Sequence, residues 1–189
     1  WMFYMGSRAG IDELGLASSL DGIKWKDATS KPILPGRPGM FDSNVVEPGP
    51  TAIVSKDGIN LIYSGGMPNE GSKGNYKYQT GLAVFSKDDP TQLLFRSSKP
   101  VFSAETKWEL ENSSTTVRQV PNVVFPQGIV PDGKGAFLIY YGAADSYVGV
   151  AHTKFAPINR FGYLSESLRQ SIGRSPSEYL QDKPSDKTR

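Results

Sequence analysis

The stretch LIYYGAADSYVGVAHTKF, residues 138–155, ends an apolar run in tyrosine and glycine and then opens a Gly-Val-Ala step. Two relatives of it lie earlier in the chain. Phe3-Tyr4-Met5-Gly6 is followed by Gly15-Leu16-Ala17, and Ile62-Tyr63-Ser64-Gly65 by Gly81-Leu82-Ala83. The third copy is Ile139-Tyr140-Tyr141-Gly142, followed by Gly149-Val150-Ala151. Each reads as a strand ending in Tyr-x-Gly, a connection, and a second strand that opens in Gly-[Leu/Val]-Ala. Aligned on Tyr4, Tyr63 and Tyr140, the copies stand 59 and 77 residues apart.

The last two copies share a lead-in. GPTAIVSKDGINLIYSG and QGIVPDGKGAFLIYYG both run a short strand into a glycine turn, at Asp57-Gly58 and Asp132-Gly133, and then into the tyrosine strand. That is a hairpin signal. Further strands are predicted in GLAVFSKDD and TQLLFRS. A meander of three or four strands cannot bury both its faces alone, whereas copies stacked around an axis can. The pattern therefore predicts an all-β fold of the β-propeller type; the alternative is a β-sandwich in which Tyr-x-Gly recurs by chance. Propellers have about four to eight blades. The repeats supply two complete blades and part of one, so an incomplete ring is expected. WMFYMGS at the start reads as the middle of a strand, without a basic lead or cleavage site. The expectation is a chain that begins inside a larger protein.

The division that follows is a partial propeller over 1–157 and a polar tail over 158–189. Within the tail, SESLRQSIGR suits one or two helical turns, and SPSEYLQDKPSDKTR has the low hydrophobicity of a disordered segment. Of the formal net charge of +2, all falls from Arg160 onward, which leaves the body neutral. No basic stripe interleaves with aromatics, so nucleic acid is not an expected partner. No apolar run approaches the roughly 18 residues of a membrane span. The chain has no cysteine and one histidine, which excludes disulfides, thiolate chemistry and multi-histidine metal clusters. No dinucleotide, P-loop, HExxH or GxSxG string is present, and no cofactor is expected. The compartment is left open.

The densest polar stretch is FDSNVVEPGP, residues 41–50. Asp42 and Glu47 flank an apolar pair, and Pro48 and Pro50 stiffen the chain around Gly49. The repeat places this segment at the start of an inner strand, where a propeller lines its central pocket. Glu47 is then aimed at the pocket; the alternative is a carboxylate that caps a turn or pairs with arginine. In VPNVVFPQG, residues 120–128, Phe125 takes the position of Glu47, and Asn122 and Gln127 are amides suited to sugar hydroxyls. Asp145 follows the third tyrosine strand, beside Tyr141. A carboxylate next to an aromatic ring holds a sugar by its hydroxyls and its C–H face, and the competing reading of Asp145 is an Asx-turn. In SSLDGIKW, residues 18–25, Asp21-Gly22 reads as a turn with Trp25 packed over it. His152 alone reads as a strand residue.

FDSNVVEPGP, DGINLIYSGG, YQTGLAVFSKDDPTQLLFRS, VPNVVFPQGIV and FLIYYGAADSYVGVA together resemble glycoside hydrolase family 130, the mannoside phosphorylases and mannosidases. They cover roughly residues 41–152 in the family's order, and GLASSLDGIKW fits the preceding blade. The resemblance implies a five-bladed β-propeller with a central active site, and inverting attack on a β-mannoside by water or by phosphate. It implies a general-acid aspartate upstream of the matched part, with no counterpart in this chain. It implies oligosaccharide as substrate and, for a phosphorylase, a cationic cluster for which Lys77, Arg118 and His152 are the candidates. Glu47 favours hydrolysis, with Glu47 as the catalytic base and Asp42, Asn122, Gln127, Tyr141 and Asp145 as substrate ligands. Phosphorolysis is the alternative, and a non-catalytic carbohydrate-binding propeller piece is a third reading.

Overall fold

Runs of apolar and small residues over 59–68 and 76–85, buried along most of their length, produce the longest hairpin among the described residues. The computed structural model describes residues 1–69, 76–110, 120–133 and 136–154, together with the backbone of 173–175. Its elements form three successive antiparallel units. The first holds β1 (Met2–Arg8), β2 (Ile11–Ser18) and β3 (Lys26–Asp27). The second holds β4 (Val45–Pro48), β5 (Ile53–Val54), β6 (Ile59–Pro68), β7 (Tyr76–Phe85) and β8 (Leu93–Arg96). In it β4 and β5 both pair with β6, as one inner strand interrupted at Gly49–Ala52. The third unit is the sheet β12-β11-β10-β9, from β9 (Val124–Pro131), β10 (Phe137–Ala143), β11 (Tyr147–Thr153) and β12 (Gly173–Ser175). A single helical turn, α1 (Lys107–Leu110), precedes it. The chain is nearly all-β, as expected. The helical turns expected over 165–174 lie outside the described residues except at their end, where Gly173 and Arg174 belong to β12 instead.

One arrangement repeats in every unit. Tyr4 stands opposite Gly15, Tyr63 opposite Gly81, and Tyr141 opposite Gly149. A Cβ placed on these glycines would lie 2.4, 2.2 and 2.3 Å from the tyrosine Cζ, so the ring lies flat on bare backbone. Each phenol donates to a carboxylate: Tyr4 to Asp27 at 2.8 Å, Tyr63 to Asp42 at 2.8 Å, and Tyr141 to Glu109 at 2.7 Å. Phe41 and Trp108, each one residue before its carboxylate, stack on Tyr63 and Tyr141 with centroids 6.1 and 6.0 Å away.

This corrects the alignment on Tyr140. Tyr140 is 41% exposed and Tyr141 is 1% exposed, so the anchor of the third unit is Tyr141. The motif Tyr-x-Gly is satisfied by Tyr140 and Gly142, but the constraint is the glycine across the ladder, and only Tyr141 faces Gly149. Gln127 is the extra residue of a bulge at this point, since Tyr140 pairs with Gly128 and Tyr141 with Pro126.

Two cores separate the three units. Leu14, Leu34, Phe41, Val46, Leu61 and Tyr63 pack between the first and second. Ile62, Leu82, Val84, Val124, Ile139 and Tyr141 pack between the second and third. Neighbouring residues Ile62 and Tyr63 therefore serve opposite cores, as a strand buried on both faces requires. The units join by one repeated backbone contact: the Asp12 amide donates to the Asn44 carbonyl at 2.9 Å, and the Tyr78 amide to the Asn122 carbonyl at 3.2 Å. Parallel bridges Asp12–Val45 and Tyr78–Val123 accompany them. Asp21 and Ser19 close the SSLDGIKW turn and the Trp25 indole donates to the Gly22 carbonyl, as the sequence led us to expect.

Replacing Gly81 by alanine is expected to destabilise the chain by about 1–3 kcal/mol, the usual cost of overpacking a tight core. Gly128→Ala meets only the Tyr140 Cβ at 3.4 Å and is expected to change stability by less than about 0.5 kcal/mol. Urea midpoints of the two variants check the contrast; equal midpoints would show that the ring-on-glycine contact is not tight.

Candidate functional site

The inter-unit contacts gather at one end of the strands. Asp12 opens β2, Glu47 lies in β4, Tyr76 and Tyr78 open β7, and Asp145 sits in the turn between β10 and β11. The backbone is strained here. Asn122, Ala144 and Asp145 have φ of 63°, 47° and 53°, in the left-handed region where non-glycine residues are uncommon. The strain is held in place: the Asn122 amide donates to the Glu109 carbonyl, the Ala144 amide to the Val123 carbonyl, and the Ser146 amide to the Ala143 carbonyl. Two successive positive φ values make a primed turn, so Asp145 shapes its turn through its backbone and presents its carboxylate outward. Strain of this kind clusters at functional sites.

Tyr78 is the centre of the group. Its ring meets Phe125 edge-on at 5.5 Å and Tyr76 at 6.2 Å. Burial first, then the charges of Glu47 and Asp12, the neighbouring Tyr76 and the charge of Asp145, push its phenol up to about 12. Burial, then the Asp12 carboxylate, raises Glu47 above the usual carboxylate range, and burial raises Asp145. The fold therefore favours the protonated form of both acids. Each opposes stability above its raised pKa, and that opposition fades as the pH falls toward the ordinary carboxylate range. Glu109 behaves the other way. Burial alone would raise it, but the amides of Glu105 and Thr106 and the Tyr141 phenol hold it below its usual value. Its contribution is present above the ordinary glutamate pKa and is lost as the pH falls through the depressed one.

Of the residues singled out from sequence, Glu47 and Asp145 both act through their charge on the Tyr78 phenol. Gln127 is exposed on its bulge, and Asn122 is half-buried at the inter-unit joint. Two others are corrected. Asp42 is fully buried: Arg37 and Arg96 each reach it at 2.7 Å, with Tyr63 as a third donor, so a ligand has no access. Tyr141 is the core anchor and faces Glu109. The phosphate candidates separate too. Lys77 alternates with Tyr76 and Tyr78 and so projects from the opposite face of β7. His152 pairs with Asp132 at 2.7 Å, at the far end of β11, roughly 17 Å of strand from the Asp145 turn. Arg118 lies outside the described residues.

Sequence reasoning missed Asp12, Tyr76 and Tyr78. A signal was present: Asp12 and Tyr78 each precede the strand glycine, Gly15 or Gly81, by three residues. Among the described residues, Arg37 and Arg96 are committed to Asp42 and Arg8 to Glu13, and no group of acidic and histidine side chains suits a metal ion. The site is an acidic, aromatic wall. Its carboxylates accept hydroxyl donors and its rings offer an apolar face, which is the chemistry of a sugar site.

A family model described as beta-1,4-mannooligosaccharide phosphorylase, of glycoside hydrolase family 130, matches residues 2–161. A 1,2-beta-oligomannan phosphorylase of Thermoanaerobacter sp. (strain X514) is 34% identical over 74% of this chain and 42% of its own length. The structure of a beta-1,2-mannobiose phosphorylase from Listeria innocua, in complex with beta-1,2-mannobiose, aligns with a TM-score of 0.66 at 26% identity, over 80% of this chain and 39% of that one. Another structure, at TM-score 0.64 and 29% identity, covers 79% of this chain and 44% of its own. It is described as showing that the family's mannoside phosphorylases include glycoside hydrolases that target beta-1,2 mannosidic linkages in Candida mannan. The chain thus spans about two-fifths of the length of each of these three relatives.

Replacing Asp12 by asparagine is expected to lower the Glu47 pKa toward the ordinary carboxylate value. Carboxyl-carbon NMR titration of Glu47 checks this, and an unmoved midpoint would show that the Asp12 charge does not reach it.

Proposed function

The chain belongs to glycoside hydrolase family 130, and on that membership we propose that it forms part of the active-site wall of an inverting β-mannoside phosphorylase. The observation that carries the reading is the joint between repeated units, where the Tyr78 ring meets Phe125 edge-on at 5.5 Å and the charges of Glu47, Asp12 and Asp145 act on its phenol. The family model and the Thermoanaerobacter and Listeria relatives are named as phosphorylases, and this weighs against the hydrolysis that Glu47 alone suggested from sequence. The preferred linkage is β-1,2, in keeping with the Thermoanaerobacter relative.

On this reading the repeated units are blades of a five-bladed propeller, and residues 1–157 contribute about three of them. Two features support it: both faces of the second unit are covered by its neighbours, and the inner strands approach closely, with a Cβ on Gly49 placed 3.2 Å from the Pro126 carbonyl oxygen. Of the segment expected to be a separate tail, residues 173–175 join the third unit as β12. The mannosyl unit rests against Phe125 and Tyr78, its hydroxyls bonded to Asp145 and to the amides of Gln127 and Asn122. Inversion places the proton donor and the nucleophile on opposite faces of the sugar. Phosphate is then held by Arg118 and by cations beyond the described residues.

A second reading, hydrolysis, is favoured by one observation. Glu47 is a half-buried carboxylate of raised pKa, suited to activate water, and its described neighbours are acidic rather than cationic. Product analysis of the full-length enzyme on β-1,2-mannobiose, with and without inorganic phosphate, separates the two. Mannose 1-phosphate formed only with phosphate is the expected result; free mannose released in phosphate-free buffer would establish hydrolysis. In that case Glu47→Gln should lower the rate about 10²–10⁴-fold. Under either reading Asp145→Asn should lower kcat/KM about 10–100-fold, the loss of a hydrogen bond to a charged group.

A further inference from the structure

The second unit places Glu47, Ser64 and Thr80 in one cross-strand row, because Glu47 stands opposite Ser64 and Ser64 opposite Thr80. Opposed residues of an antiparallel pair project to the same face, with Cβ atoms about 4.5–5.5 Å apart. Ser64 is 0% and Thr80 3% exposed, and neither hydroxyl oxygen has a hydrogen-bond partner. A buried hydroxyl without a partner is uncommon and calls for a reason.

The repeat supplies an internal comparison. In the third unit the matching row is Phe125, Gly142 and Val148, apolar throughout. In the first unit the places of Ser64 and Thr80 are taken by Met5 and Leu14, which also stand opposite each other. The paired hydroxyls thus occur in the unit whose inner strand carries a carboxylate on that row.

We propose that Ser64 and Thr80 are positioning residues for Glu47, the Thr80 hydroxyl donating to the Ser64 oxygen and the Ser64 hydroxyl donating to the Glu47 carboxylate when substrate is bound. The inference rests on the assignment of Glu47 to the active site. A hydroxyl donates one hydrogen bond and accepts others, so the row forms a chain with one direction. Asp12 on β2 acts on Glu47, and Glu47 acts on the phenol of Tyr78 on β7, which Asp12, Tyr76 on β7 and Asp145 in the β10–β11 turn also influence. Burial and the Asp12 charge disfavour the ionised form of Glu47, and a hydroxyl donor favours it. The chain of donors fixes the orientation of the carboxylate and keeps it charged at neutral pH.

The test is the pH profile of kcat/KM of the full-length enzyme on β-1,2-mannobiose with inorganic phosphate. Ser64→Ala should move the acid limb upward by about one pH unit, the shift expected from losing a hydrogen bond to a charged group. Thr80→Val should move it the same way by less, and Thr80→Ser, which keeps the hydroxyl, should leave it in place. An acid limb unmoved in both Ser64→Ala and Thr80→Val, with the thermal midpoint held or raised, would make these residues packing groups and overturn the proposal. Glu47→Gln separates the two possible failures. If it removes the limb while Ser64→Ala does not shift it, the positioning role alone falls. If it leaves the limb in place, the limb belongs to another group, and the assignment of Glu47 falls together with this inference.

Discussion

A tyrosine ring laid on the bare backbone of a facing glycine, with its phenol donating to a carboxylate, ties each unit together. The ring needs the glycine because any Cβ would overlap it. In the second and third units the carboxylate, Asp42 or Glu109, is fully buried, and the phenol satisfies part of what water would have supplied. In the second unit this centre is Tyr63, Asp42, Arg37 and Arg96, with Arg96 also 5.3 Å above the ring. Arg37 and Arg96 reach on to the carbonyls of Ser97 and Pro35, so one buried acid gathers the chain from residues 35 to 97. Removing one partner of such a buried cluster leaves an uncompensated charge and is strongly destabilising, by about 3–5 kcal/mol. In the third unit Glu109 fills the same role, accepting from the backbone amides of Glu105 and Thr106 and from the Tyr141 phenol.

The anchors lie inside each unit and the candidate site lies at the joints between units. Asp42 and Glu109 are acids held in a fixed, satisfied state. Glu47 and Asp145 are acids whose environment raises their pKa without giving them a hydrogen-bond partner among the described residues. Both kinds sit within a few residues of each other in FDSNVVEP. The distinction between them is one of geometry: Asp42 follows an aromatic that stacks on the anchor tyrosine, while Glu47 follows two valines and faces the next unit.

Much of this was legible in the sequence. The repeated Tyr-x-Gly and Gly-x-Ala steps give the all-β character, and the hairpin turns at Asp57-Gly58 and Asp132-Gly133 follow from ordinary turn chemistry. Glu47 and Asp145 stood out as carboxylates at strand ends. The register of the third unit was not legible, because Tyr140 and Tyr141 are adjacent and only the bulge at Gln127 decides which faces the glycine. Asp42 and Glu47 are indistinguishable by composition, and their separation depends on Arg37 and Arg96, the second of them far along the chain. Tyr78 was hidden because its significance comes from Phe125 and three acids that converge on it from other elements.

The joint between units is made from main-chain atoms, an amide of one strand and a carbonyl of the next. A contact of that kind is indifferent to the side chains on either side of it. At one joint those side chains are Asp12 and Glu47, and at the other they are Tyr78 and Phe125. The same backbone geometry thus carries a pair of acids in one place and a pair of rings in the next. A framework joined in this way can change the chemistry of its pocket one joint at a time, without altering how its units are held together.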